Sequence, residues 1–78
     1  MSADLLEYLA RRLVDEPDAV RVEQVEGDDG SLIFRLHVAE ADVGKVIGRG
    51  GRIARALRTV VRAGAAREHR RISIEIVE

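Results

Sequence analysis

The sequence predicts an α+β fold: one small domain in which three short strands form a single sheet covered on one face by three helices. Three observations lead there. Apolar residues recur at helical spacing over 2–15 and 51–67, and alternate with polar residues over 19–25, 31–38 and 71–77. Clusters of Gly, Asp and Pro punctuate these stretches, and no linker is long enough to divide the chain. With 78 residues, roughly 60% of the chain's surface can be buried, so 1–78 is read as one domain with one core.

The N-terminal helix is expected over 2–15. Ser2 stands at a capping position, Asp4 lies in the first turn where the helix dipole favours an anion, and Arg11 and Arg12 lie near the other end. Leu5, Leu6, Leu9 and Leu13 recur at helical spacing with Val14 beside them, and Pro17 stops the helix by disfavouring helical geometry at Glu16. A hairpin over 19–38 follows. Val20 and Val22 alternate with Arg21 and Glu23, and Gly27-Asp28-Asp29-Gly30 supplies a turn. In the second strand Leu32, Phe34, Leu36 and Val38 face the core, with Arg35 and His37 on the other side.

A helix-loop-helix unit is expected over 42–67. A short helical turn carries Val43, Val46 and Ile47, Gly48-Arg49-Gly50-Gly51 interrupts it, and a longer helix continues to Arg67. At about 100° per residue, Ile53, Leu57, Val60, Val61 and Gly64 share one apolar arc. Arg52, Arg55, Arg58 and Arg62 share a second arc centred nearly opposite, which predicts an arginine face in solvent. The last strand, 71–77, places Ile72, Ile74 and Ile76 on one face.

The formal net charge of −1 hides a strong segregation. Residues 1–42 hold four basic against eleven acidic residues, while 43–71 hold nine basic residues against Glu68 alone. A domain with one strongly basic half is suited to a polyanion whatever its overall isoelectric point. Cysteine is absent, which removes disulfides and thiolate metal sites. No apolar run approaches the roughly 20 residues of a membrane span and no leader segment opens the chain, so the expected location is the cytoplasm. His37 and His69 stand apart without clustered carboxylates, Ser31 and Ser73 lack a neighbouring base, and Asp15, Glu16 and Asp18 read as a solvated helix exit. The expectation is therefore no enzyme, no cofactor and no metal. Tyr8 and Phe34 are the only aromatic rings, which counts against folds that stack bases on aromatic platforms.

The glycine cluster is the feature with chemistry in it. Three glycines in four positions permit positive φ and close approach of another backbone. The amides opening the next helix attract phosphate, and Lys45, Arg49 and Arg52 surround them. Two mononucleotide motifs fail here. A dinucleotide fingerprint from Gly48 would need Gly where Ile53 stands, and a P-loop from Gly44 would need Gly at Arg49 and Lys at Gly50.

Val46-Ile47-Gly48-Arg49-Gly50-Gly51 resembles the I-G-x-x-G signature of the K-homology (KH) RNA-binding domain, and the element order α-β-β-α-α-β resembles its bacterial type II form. Leu13-Val14-Asp15 with Pro17-Asp18, Gly44-Lys45-Val46-Ile47-Gly48 and Arg55-Ala56-Leu57-Arg58-Thr59-Val60-Val61 resemble the KhpA family of small bacterial KH proteins over the whole chain. The resemblance implies a loop that clamps the backbone of about four nucleotides beside an apolar groove for bases. Gly48 and Gly51 would be the fixed glycines, and Arg49 and Gly50 the variable pair near phosphate. Val46 and Ile47 would floor the groove, with Lys45, Arg52 and Arg55 on its rim. Ala54 stands where many KH domains carry a large aliphatic residue, which implies a shallower or shifted groove.

The implied function is non-enzymatic binding of single-stranded RNA, as an RNA chaperone or post-transcriptional regulator, without a small-molecule substrate or a membrane role. The implied partners are a second copy of the chain or a larger KhpB (Jag-like) KH protein. The competing reading is a dimerisation or adaptor module whose RNA affinity is incidental.

Overall fold

The computed structural model describes residues 2–66 and 70–78. Its elements are α1 (Ser2–Leu13), β1 (Arg21–Glu26), β2 (Leu32–His37), α2 (Val43–Ile47), α3 (Arg52–Gly64) and β3 (Ile72–Ile76). Single 3-10 turns lie at Pro17–Ala19, Glu40–Asp42 and Arg49–Gly51. The sheet order is β1-β2-β3. β1 and β2 pair antiparallel, with Val22 opposite Leu36 and Gln24 opposite Phe34. β3 joins the other edge of β2 in parallel, Phe34 opposite Ile74. Parallel neighbours need a long crossover, and here the segment containing α2 and α3 provides it.

Alternation decides which face of the sheet is covered. Leu32, Phe34 and Leu36 are buried while Arg35 between them is exposed. They pack with Leu6 and Ala10 of α1, Val46 of α2, Leu57 and Val61 of α3, and Ile72 and Ile74 of β3. The other face carries polar cross-strand pairs. Arg35 Nε donates to Glu75 Oε1 at 3.1 Å. His37, expected in solvent, is half-buried with Nε2 at 3.2 Å from Glu23 Oε1. In the β1–β2 turn the Ser31 amide donates to Asp29 Oδ1 at 3.0 Å. The Ser31 hydroxyl and amide hold the Asp29 carboxyl below its ordinary range.

Two expectations need correction. α1 stops at Leu13 rather than residue 15, and Ala19 belongs to a turn rather than to β1. The reason is a tertiary bond: the Glu16 amide donates to Asp42 Oδ2 at 3.0 Å and draws the chain off the helix axis. α3 ends at Gly64; its expected end at Arg67 lies outside the described residues, as do Glu68 and His69.

The buried helical faces are also rotated. Leu13 and Val60, expected in the core, are 38% and 45% exposed, whereas Ala10, Ala54 and Ala65 are buried. On α3 this turns the buried arc by about 50° from the one read off the large apolar residues. Alanines let a helix backbone approach the sheet closely, so the small residues face inward and the larger ones splay to the side. The arginine row consequently lies on the flank of α3, and Arg58 is half-buried.

Candidate nucleic-acid interface

The glycine loop is built by backbone conformations that side chains resist. Gly48 has φ 76° and ψ 169°, a region almost confined to glycine. Its missing side chain also makes room for Ile53, whose amide nitrogen would lie 2.9 Å from a β-carbon at Gly48. Gly50 and Gly51 take φ values of 63° and 81°, and the Gly51 amide closes the turn on the Gly48 carbonyl at 3.1 Å. Arg55 Nη1 donates to the Gly50 carbonyl at 2.9 Å and braces the loop from the first turns of α3. No side chain caps α3, so its opening amides face the loop without a built-in acceptor. Arg49, Gly50 and Arg52 are exposed around this mouth.

Beside the loop a cavity of about 410 Å³ runs between α3 and β3, lined by Ile47, Gly51, Ala54, Arg55, Arg58, Ile74, Glu75, Ile76 and Glu78. Its floor is aliphatic: Ile74 is 7% exposed and Ala54 6%, with Ile47 and Ile76 half-buried. Ile53, the larger neighbour of Ala54, turns instead toward Gly48 and the α1 side. The charged walls are of mixed sign, Arg55 and Arg58 from α3 against Glu75 and Glu78 from the β3 side.

The sequence reading placed nine residues here, and the structure separates them. Ile47, Gly48, Arg49, Gly50, Gly51, Arg52 and Arg55 are gathered at the loop and the adjoining cavity. Val46 is fully buried in the core and does not reach the groove floor. Lys45 is turned away from the phosphate side, since its ammonium lies 3.1 Å from Asp15 Oδ2 and 3.3 Å from Asp42 Oδ1. The Asp15 bond, then the Asp42 bond, raise the Lys45 pKa above its ordinary value of 10.5. Burial works against ionisation of Asp42, yet the Glu16 and Asp15 amides and Lys45 hold its carboxyl below the usual value. This network ties the chain after α1 to the start of α2; Asp15 stays exposed at the helix exit, as expected, while it pairs with Lys45.

Sequence reasoning reached Ala54 only through the family resemblance, and it missed Arg58, Ile74, Ile76, Glu75 and Glu78 as groove residues. Ile74 and Ile76 were legible only as one face of a strand, and nothing local says which end of that face α3 leaves open.

A family profile for the KH domain of KhpA and KhpB matches residues 3–76. The chain belongs to this KhpA/KhpB KH-domain family. It is similar to the RNA-binding protein KhpA of Clostridium acetobutylicum, 52% identical over 73 residues that cover 94% of this chain and 96% of the relative. The RNA-binding protein KhpA of Treponema pallidum is 49% identical over 78 residues, covering 100% of this chain and 96% of that one. Among solved structures, Era of Aquifex aeolicus bound to a GDP complex superposes with a TM-score of 0.60 at 20% identity. The match covers 96% of this chain but 29% of Era, and it speaks for the fold alone.

A further apolar surface lies on the opposite flank of α3. Leu9, Arg12 and Leu13 of α1 and Ile53, Ala56, Leu57 and Val60 of α3 line a shallow cavity of about 260 Å³. Tyr8 on α1 is 60% exposed. Among the described residues, no helix is long and apolar enough to cross a membrane.

Proposed function

We propose that this chain is a non-enzymatic protein that binds single-stranded RNA through the Gly48–Gly51 loop, as an RNA chaperone or post-transcriptional regulator in the cytoplasm. The observation that carries the reading is the joint geometry of loop and groove. A glycine-only turn opens an uncapped helix N-terminus, and an aliphatic groove begins beside it. Phosphate oxygens accept from the loop and helix amides, with Arg49 and Arg52 supplying charge. Bases lie on Ile47, Ala54, Ile74 and Ile76, between the Arg55 and Arg58 wall and the Glu75 strand. Lys45 supports the scaffold of the site. Membership of the KhpA/KhpB family, whose relatives are named RNA-binding proteins, agrees with this reading.

A second copy of the chain, or a KhpB-type KH protein, is the proposed protein partner. The exposed Leu13 and Val60 strip favours such pairing, and linking two grooves raises affinity through effective concentration. The same strip supports the rival reading, an interaction module with incidental RNA affinity.

The deciding experiment is fluorescence anisotropy with a short labelled single-stranded RNA at low and moderate salt. A folded Arg49→Asp/Gly50→Asp variant should lose binding while the wild type retains it. Equal binding by both, or none by either, would assign the chain to the rival reading.

A further inference from the structure

We propose that the α3–β3 seam carries a second phosphate-binding station at the end remote from the glycine loop, formed by Arg62 and Arg71. The inference deepens the RNA-binding reading and rests on it: the strand held by the loop continues along the seam to this station.

Topology makes the seam continuous. The groove beside the loop is walled by Gly51, Ala54, Arg55 and Arg58 and floored by Ile74 and Ile76. A second cavity, of about 570 Å³, is lined by Arg62, Ala65, Ala66, Arg70, Arg71 and Ile72. Residue numbers rise along α3 and fall along β3 from the first cavity to the second, so both lie along one seam between antiparallel elements. The floor persists in kind, since Ala65 and Ile72 are each 4% exposed. From Arg52 to Arg62 the helix advances about 15 Å.

The charge pattern changes along the way. The loop-side groove is lined by Glu75 and Glu78 as well as by arginines, whereas among the described residues the charged ones lining the far cavity are all arginines. Arg70 is already committed, with Nε donating to the Gly30 carbonyl at 2.9 Å and Nη2 at 3.2 Å from Glu26 Oε1. Among the described residues Arg62 is anchored by one edge: Nε donates to the Ile72 carbonyl at 3.3 Å, and its terminal nitrogens meet no carboxylate there. Arg71 is exposed and forms no ion pair at contact distance among the described residues, although the exposed Asp29 carboxylate lies within its electrostatic reach. One guanidinium held in place and a second beside it, over an apolar floor, suit a phosphodiester, because arginine forks match phosphate oxygens in pairs. An acidic peptide would compete for the same donors but would not account for a seam that begins at a phosphate-binding loop.

The test is anisotropy titration of single-stranded RNA of about four and about ten nucleotides over a range of salt. Wild type is compared with Arg71→Glu, with Arg62→Gln/Arg71→Gln, and with the loop variant Arg49→Asp/Gly50→Asp. A longer strand gains affinity simply by offering more registers, so the salt slope is the deciding quantity. Each neutralised phosphate adds about 0.7 to that slope on a single strand. For wild type the long RNA should show a slope steeper than the short one by about 0.7, one phosphate's worth. Arg71→Glu, which disturbs no ion pair at contact distance among the described residues, and the double variant should abolish that increment while leaving short-strand binding unchanged. An increment that survives in both variants, or is missing from wild type, overturns the station. If the short RNA fails to bind wild type, or binds the loop variant equally, the RNA reading itself falls and the station with it.

Discussion

Gly48 and Ile53 lie too close for any side chain to come between them. A β-carbon on Gly48 would strike Ile53 Cγ1 and stand 2.9 Å from the Ile53 amide, while one on Gly50 would meet nothing within 4 Å. The two glycines of the same loop therefore answer different demands. Gly48 lets α2 and α3 close on each other, whereas Gly50 only needs a left-handed backbone. Gly48→Ala is expected to cost about 3 kcal/mol, through overlap and strain together. Gly50→Ala should cost about 1 kcal/mol. Urea denaturation of the two variants measures both, and equal losses would contradict the distinction.

Lys45 and Arg52 flank the loop with opposite commitments. Lys45 is bound to Asp15 and Asp42, whereas Arg52 is exposed at the helix opening. Arg52→Ala should lower the salt slope of RNA binding by about 0.7, the share of one phosphate. Lys45→Ala should leave the slope unchanged and lower thermal stability instead. The same slope loss in both variants would return Lys45 to the phosphate side.

Asp42 sets the acid limb of stability. Its carboxyl is held below the ordinary value of 3.8 in the fold, so its contribution is complete above that value and fades as pH falls through the lowered one. Asp42→Asn should melt at a lower temperature than wild type near neutral pH, and the gap should close below about pH 4. Lys45, raised above 10.5, contributes fully below that value and loses its contribution as pH rises through the raised one. Thermal melts between acid and neutral pH check the Asp42 gap, and a gap that does not change with pH would refute it.

Val60 tests the proposed pairing. It stands 45% exposed next to Leu13, at 38%, on the flank of α3 away from the arginine row. Val60→Asp should abolish self-association in sedimentation equilibrium while the monomer stays folded and still binds short RNA. Self-association that persists would move the pairing surface elsewhere.

The element order, the turn at Gly27–Gly30 and the conformational demand of the glycine loop were legible along the chain, because each depends on residues near one another in it. Alternation in β2 and β3 placed Leu32, Phe34, Ile72 and Ile74 inward, and the structure keeps them there. The rotation of the helices came from packing on the sheet. Large apolar residues marked Ile53, Leu57 and Val60 as the inner arc, yet close packing on the sheet favoured Ala54 and Ala65 and turned Val60 outward. That rotation moved Arg55 and Arg58 from the expected opposite face to the β3 side, where they wall the groove together with strand residues that no local pattern marked. Lys45 illustrates the same limit. Its position next to the loop was legible, but its partner Asp15 lies thirty residues away, and only the folded chain brings the two charges within 3.1 Å.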